Sequence, residues 1–230
     1  MADKIKVAVV DDSLFVRTIL SDMLSTDPEI EVVGTAKDGL DALALVKKEK
    51  PNIVTMDLVM PCLDGLQALE MIAKTGSNTS VIMLSAADRA SADAIMKSLD
   101  LGAFDFVMKP ASTSSTDILR LKWEIITKIK LAFKSGGKRI VEKEEILKTP
   151  ARRTEGKCPA KVGPVVAIGA STGGPVALRY ILGSMPPKFP APIVVAQHMP
   201  KAFTESFSER LSKICKIPVI EAKDGMMLSP

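Results

Sequence analysis

Val54-Thr55-Met56-Asp57-Leu58-Val59-Met60-Pro61 is a short apolar run interrupted by a single carboxylate. Ile53, Val54 and Met56 carry no charge, and turn residues bracket the run, Pro51-Asn52 before it and Pro61 after. That pattern predicts a strand buried on both faces, as strands inside a parallel sheet are. Asp57 then falls at the carboxyl edge of the sheet, where open α/β sheets bind and transform their ligands. It is the candidate reactive group of this part of the chain.

The sequence on either side repeats the same alternation. Ile5–Val10 reads as a strand, Ser13 as an N-cap, and Leu14, Ile19, Leu20, Met23 and Leu24 as one side of an amphipathic helix. Ile30–Val33 is a second strand and 39–50 a helix closed by Pro51. Asp64-Gly65 opens a helix to about Lys74, Ser80–Leu84 is a fourth strand, and 88–100 is helical. Phe104–Met108 is a fifth strand and Thr116–Phe133 a long last helix. Strands separated by helices of this length imply right-handed βαβ units and a five-stranded doubly wound parallel sheet covered on both sides, over residues 1–133.

Residues 134–161 break the rhythm with Ser135-Gly136-Gly137, two prolines and mixed charge. They read as a linker, with a short helix around Val141–Leu147. A second α/β parallel-sheet pattern occupies 162–230. Val165–Ile168 is a strand, Gly169–Pro175 a glycine-rich turn, Val176–Leu182 a helix, Ile193–Ala196 a strand, and Pro200–Cys215 a helix; Ile217–Ile220 begins a third strand.

Composition narrows the function classes. The 230 residues are 47% hydrophobic and 25% charged, ordinary values for a globular protein. No apolar run reaches membrane-spanning length and no signal peptide opens the chain, so a cytoplasmic protein with no membrane insertion is expected. Cys62, Cys158 and Cys215 form no C-x-x-C pair, which argues against a disulfide framework or a zinc site. Residues 1–133 hold 15 basic and 19 acidic side chains, 134–161 hold 9 and 4, and 162–230 hold 7 and 4. No segment combines a basic face with interleaved aromatics, so nucleic acid is not an expected partner.

Asp11, Asp12, Asp57, Ser85 and Lys109 each fall at or just past the end of a predicted strand. Three carboxylates converging on one crevice would repel unless a cation sits among them, and Mg²⁺ with oxygen ligands suits that set. Lys109 adds a positive charge and Ser85 a hydroxyl, so phosphoryl transfer to Asp57 as nucleophile is the chemistry that fits. With these residues, Asp64-Gly65, Ser85-Ala86 and Lys109-Pro110, the segment resembles the receiver domain of two-component response regulators over about residues 4–133. The resemblance implies phosphorylation of Asp57 by a histidine kinase and Mg²⁺ held by Asp11, Asp12, Asp57 and the main-chain carbonyl of Val59. It also implies that Ser85 and Phe106 rearrange on activation. Phe106 lacks a phenol, so its movement is expected to be steered by packing alone.

Gly169-Ala170-Ser171-Thr172-Gly173 matches Gly-x-Ser-x-Gly in a strand–turn–helix context, which exposes the serine hydroxyl at a sharp elbow. Ser171 is the candidate nucleophile and the Thr172 amide an oxyanion donor, aided by the positive end of the following helix. His198, the only histidine, ends the next strand and should reach the same edge. A dinucleotide-binding turn is the rival reading of the glycines, but no acid lies between Thr172 and Gln197 to grip a ribose. The same gap excludes the order Ser, acid, His, leaving Glu205, Glu209, Glu221 and Asp224 as candidate third members.

Here the chain resembles the protein-glutamate methylesterase family of bacterial chemotaxis, through Ala-Ser-Thr-Gly-Gly-Pro and Gln-His-Met-Pro. The resemblance implies a phosphorylation-gated hydrolase that demethylates glutamyl methyl esters, and deamidates glutamines, on methyl-accepting chemoreceptors. A chemotaxis histidine kinase is the implied phosphodonor. It also implies a catalytic domain that continues past residue 230 and carries the triad Asp there. A truncated second domain with little esterase activity by itself is therefore expected. The alternatives are a non-catalytic response regulator acting by binding, and a DNA-binding regulator, which would need a helix-turn-helix after the linker.

Overall fold

The computed structural model describes residues 4–86, 89–110, 114–136 and 164–228. The chain divides into two units, Met1–Arg139 and Ile140–Pro230. In the first, β1 (Ile5–Val10), β2 (Ile30–Ala36), β3 (Ile53–Asp57), β4 (Ser80–Ser85) and β5 (Asp105–Met108) form one parallel sheet in the order β2-β1-β3-β4-β5. Helices α1 (Leu14–Ser25), α2 (Gly39–Glu49), α3 (Gly65–Lys74), α4 (Arg89–Asp100) and α5 (Ser115–Lys134) follow the strands in turn. The strand order reverses between β1 and β3, and such a reversal opens a crevice beyond the strand ends.

Local chemistry sets these boundaries. All five residues of β3 are buried, Thr55 included, as a strand covered by helices on both faces requires. Ser13, Asp38, Asp64 and Ser114 cap α1, α2, α3 and α5 by accepting from backbone N–H groups of the first turn. Asp64 and Gln67 complete a reciprocal capping box at α3. Val7, Val9, Ile53, Ile82 and Val107 from the sheet pack with Leu20, Leu24, Ile125 and Ile129 into one core. Fully burying each such side chain contributes roughly 1.5–3 kcal/mol.

One helix-face expectation fails. Leu14 is 70% exposed rather than aligned with the buried Leu20, Met23 and Leu24. It lies six residues before Leu20 and so projects about 120° round the helix from it.

The second unit contains β6 (Val166–Ala170), α6 (Gly174–Gly183), β7 (Ile193–Gln197) and α7 (Lys201–Ile214). The two strands pair in parallel with Ala170 opposite Gln197, and neither contains a fully buried residue. Pro175, Leu178, Leu182, Phe203, Phe207 and Leu211 are the buried side chains of the two helices. Ile217–Ile220 forms no strand: Pro218 has no N–H to give a ladder, and Ile220 is 71% exposed. The short helix expected at Val141–Leu147, with most of the linker, lies outside the described residues.

Candidate functional site

The ends of β1, β3 and β5 bring Asp11, Asp57 and Lys109 into contact. Lys109 Nζ lies 2.7 Å from Asp11 Oδ2 and 2.9 Å from Asp57 Oδ2. Asp12 joins them, with ligand oxygens of Asp11, Asp12 and Asp57 all within 4.8 Å of one another. Asp57 Oδ1 accepts from the Leu58 N–H at 2.9 Å, and Asp11 Oδ1 from the Ser13 N–H at 3.0 Å. Burial pushes the Asp57 carboxyl above the ordinary aspartate range; Lys109 opposes that shift and the charge of Asp11 adds to it. Burial likewise works against the Lys109 ammonium, but its contacts with Asp11 and Asp57 prevail and hold its pKa up.

One ammonium among three carboxylates leaves negative charge uncompensated. Asp11 Oδ2 is buried, with the Lys109 ammonium 2.7 Å away. An all-oxygen donor set with one coordination-ready buried oxygen fits a hard divalent ion such as Mg²⁺. Gly65 seats α3 against this edge: a β-carbon there would stand 2.0 Å from the Asp57 carbonyl oxygen. Its N–H donates to the Leu58 carbonyl at 3.0 Å. Ser85 is buried at the end of β4, with its hydroxyl donating to the Ala86 carbonyl at 3.1 Å. The Val59 side chain points to solvent, 76% exposed.

In the second unit the turn after β6 presents Ser171, and β7 ends one residue before His198. Ser171 Oγ and His198 Nδ1 are 3.3 Å apart. For Nδ1 to accept the serine proton it must be bare, which puts the ring proton on Nε2. Both side chains line an open cleft of about 500 Å³ with Gly169, Ala170, Ala196 and Gln197. Gly173 adopts a left-handed conformation (φ 70°), and α6 starts immediately after it. Thr172, partly buried, sits between Ser171 and that helix start. Of the acids weighed as third members, Glu221 accepts from the Thr204 hydroxyl of α7.

The family profile "Response regulator receiver domain" matches residues 7–118, and "CheB methylesterase" matches residues 166–230. The protein-glutamate methylesterase/protein-glutamine glutaminase of Pyrococcus horikoshii is 45% identical over 228 residues, covering 98% of this chain and 61% of that protein. The protein-glutamate methylesterase/protein-glutamine glutaminase 1 of Oleidesulfovibrio alaskensis is 39% identical over 252 residues, covering 98% of this chain and 67% of that protein. The chain belongs to the protein-glutamate methylesterase/protein-glutamine glutaminase family. It spans 61% to 67% of the length of these two curated relatives. The crystal structure of the response regulator domain of Thermotoga maritima CheB superposes with a TM-score of 0.52 at 40% identity, over 57% of this chain and 97% of that one.

Three contacts in this methylesterase-family chain escape sequence reasoning. Arg17 Nη1 donates to the carbonyls of Asp11 and Asp12 at 2.7 and 3.0 Å, pinning the loop that carries both carboxylates. A cation in the first turn of a helix opposes the dipole, and that local misfit was the available signal. The second contact is at Phe106. Lys128 Nζ stands 5.3 Å from its ring centroid and donates to its carbonyl, while pairing with Glu124 at 2.9 Å. Gln197 ties the serine turn to the histidine strand. Among the described residues no helix is long and apolar enough to cross a membrane.

Proposed function

We propose that this protein is a cytoplasmic, phosphorylation-gated hydrolase of chemoreceptor glutamyl methyl esters that also deamidates receptor glutamines. The observation that carries the hydrolase reading is the approach of Ser171 Oγ to His198 Nδ1 at 3.3 Å on an open cleft. His198 takes the hydroxyl proton as Oγ attacks the ester carbonyl, and the Thr172 amide with the α6 terminus stabilises the oxyanion. The proton passes to the departing methoxide, leaving an acyl-serine that water hydrolyses to the glutamate. With glutamine, ammonia leaves instead.

The gate is Asp57. A histidine kinase supplies the phosphoryl group, and Lys109 and the Ser85 hydroxyl receive its oxygens. Asp11, Asp12, Asp57 and the Val59 carbonyl are the groups that would hold Mg²⁺. When bound, the ion offsets the clustered carboxylate charge and that of the incoming phosphoryl group. Phe106 and Ser85 respond to the new charge.

The test is methanol release from a methylated chemoreceptor before and after treatment with acetyl phosphate and Mg²⁺. From the low basal rate expected of the wild type, phosphodonor should raise release several-fold, leave Asp57→Asn unresponsive, and give none from Ser171→Ala. Release from Ser171→Ala equal to wild type would overturn the hydrolase reading; an undiminished response in Asp57→Asn would overturn the gate.

A further inference from the structure

Gln197 bridges the two segments that carry the reactive side chains. Its Nε2 donates to the Ser171 carbonyl at 3.0 Å and to the His198 carbonyl at 3.1 Å. Two acceptors converge on that nitrogen, so the amide can face only one way; reversed, it would set Oε1 against two carbonyl oxygens. Oε1 is buried and accepts no hydrogen bond among the described residues. Buried polar atoms are nearly always paired, so an unpaired one in a side chain that also bridges two segments needs a reason.

That oxygen packs against Gly174. A β-carbon on Gly174 would stand 2.0 Å from Gln197 Oε1 and 2.9 Å from Cδ. Gly174 is therefore the recess into which the amide fits. Its φ is not of the left-handed kind, so the need for glycine here is steric rather than conformational. The N–H of Gly174 also donates to the Ser171 carbonyl at 2.8 Å, so that oxygen is held from two directions. The His198 N–H donates to the Ala170 carbonyl at 2.8 Å and completes the tie between the turn and the end of β7.

We infer that Gln197 is a positioning residue for the hydrolase: its carboxamide locks the Ser171 turn to the His198 strand and sets the separation of Oγ and Nδ1, with Gly174 as its seat. The inference rests on the reading of Ser171 as nucleophile. A side chain that only filled space would not need its N–H₂ donor, so Gln197→Met, of similar length and apolar, separates the two roles. Gly174→Ala attacks the same lock from the other side without touching either hydrogen bond's atoms.

The experiment follows phosphonylation of Ser171 by a fluorophosphonate, in which the Oγ–P bond forms, fluoride leaves and His198 takes the proton. Rates are read by intact mass with peptide mapping for wild type, Gln197→Met, Gly174→Ala and the double variant, alongside thermal unfolding. Each single variant should label about 10- to 100-fold more slowly, the scale of an ångström's misplacement of reacting groups. The double variant should be no slower than the slower single, because both changes open one lock. Wild type that is not labelled at Ser171 overturns the nucleophile reading and the inference with it. Labelled wild type with Gln197→Met within about twofold of it overturns the inference alone. Multiplying effects in the double variant also overturn it, since the two residues would then act separately. Should Gly174→Ala not fold, the Gln197→Met comparison decides.

Discussion

Replacing Lys109 by methionine removes the only ammonium found in contact with Asp11 and Asp57 among the described residues, while keeping much of the side chain's bulk. Deleting one partner of a buried ion pair costs about 3–5 kcal/mol, because the surviving charge stays buried without compensation. The Lys109 side chain is 26% exposed and that of Asp57 9%, so water relieves part of this, and the lower end, about 3 kcal/mol, is expected in metal-free buffer. The single tryptophan, Trp123, lies on α5 and reports the first unit in a urea titration. With a slope of about 2 kcal/mol per molar, the midpoint should fall by about 1.5 M. Mg²⁺ has the opposite sign. The ion must compete with the ammonium for Asp11 Oδ2 and Asp57 Oδ2, so Lys109→Met should bind it more tightly and recover part of the loss. A midpoint change below about 0.3 M without metal would refute the view that Lys109 neutralises the carboxylates. Weaker Mg²⁺ binding would refute the competition.

The same cluster makes stability depend on pH. The Asp57 carboxyl titrates above the ordinary aspartate value, so the native state holds its proton more firmly than the unfolded chain does. Its contribution is full below the unfolded value of about 3.9 and fades as pH rises through the native one. Asp57→Asn should flatten the metal-free stability profile across that window, and an unchanged slope in urea midpoints would exclude Asp57 as its source. Gly65→Ala drives a β-carbon to 2.0 Å from the Asp57 carbonyl oxygen, a backbone atom that cannot swing aside. A loss of about 3 kcal/mol, the upper end for overpacking, and slower acetyl phosphate labelling of Asp57 are expected. Arg17→Met frees the carbonyls of Asp11 and Asp12. Calorimetric titration should show Mg²⁺ affinity reduced about tenfold, as for other residues that orient metal ligands.

Most of the first sheet is legible in the sequence because each strand is a short uncharged run with its own punctuation. Pro51-Asn52 and Pro61 bracket β3, Asp64-Gly65 announces α3, and Ser13 caps α1. Which residues end those strands is legible too. Which of them touch is not, because the reach of Lys109 across β4 to Asp57 and Asp11 exists only once β5 lies outside β4 in the strand order. Phe106 shows the same limit: its ring is contacted by Lys128, 22 residues later on α5, and no local pattern couples the two. Ile217–Ile220 misleads for the opposite reason. Its apolar spacing suits a strand, but pairing needs donors, and Pro218 withholds one.

The serine and histidine of the second unit depend on register more than on either side chain. Ala170 faces Gln197 across the β6–β7 ladder, so residues 171 and 198 leave the sheet side by side. Parallel strands rise about 3.3 Å per residue, so a slip of one position would move His198 by a full hydrogen-bond length. The alternation of half-buried residues along β6 and β7 specifies register only weakly, since no position in either strand is fully buried. Register must then be fixed at the strand ends, and that is where the His198 N–H reaches the Ala170 carbonyl and the Gln197 amide reaches the carbonyls of Ser171 and His198. A serine and a histidine brought together by two neighbouring strands are thus tied by a third polar group beside them, at the strand ends where burial does least to set the register.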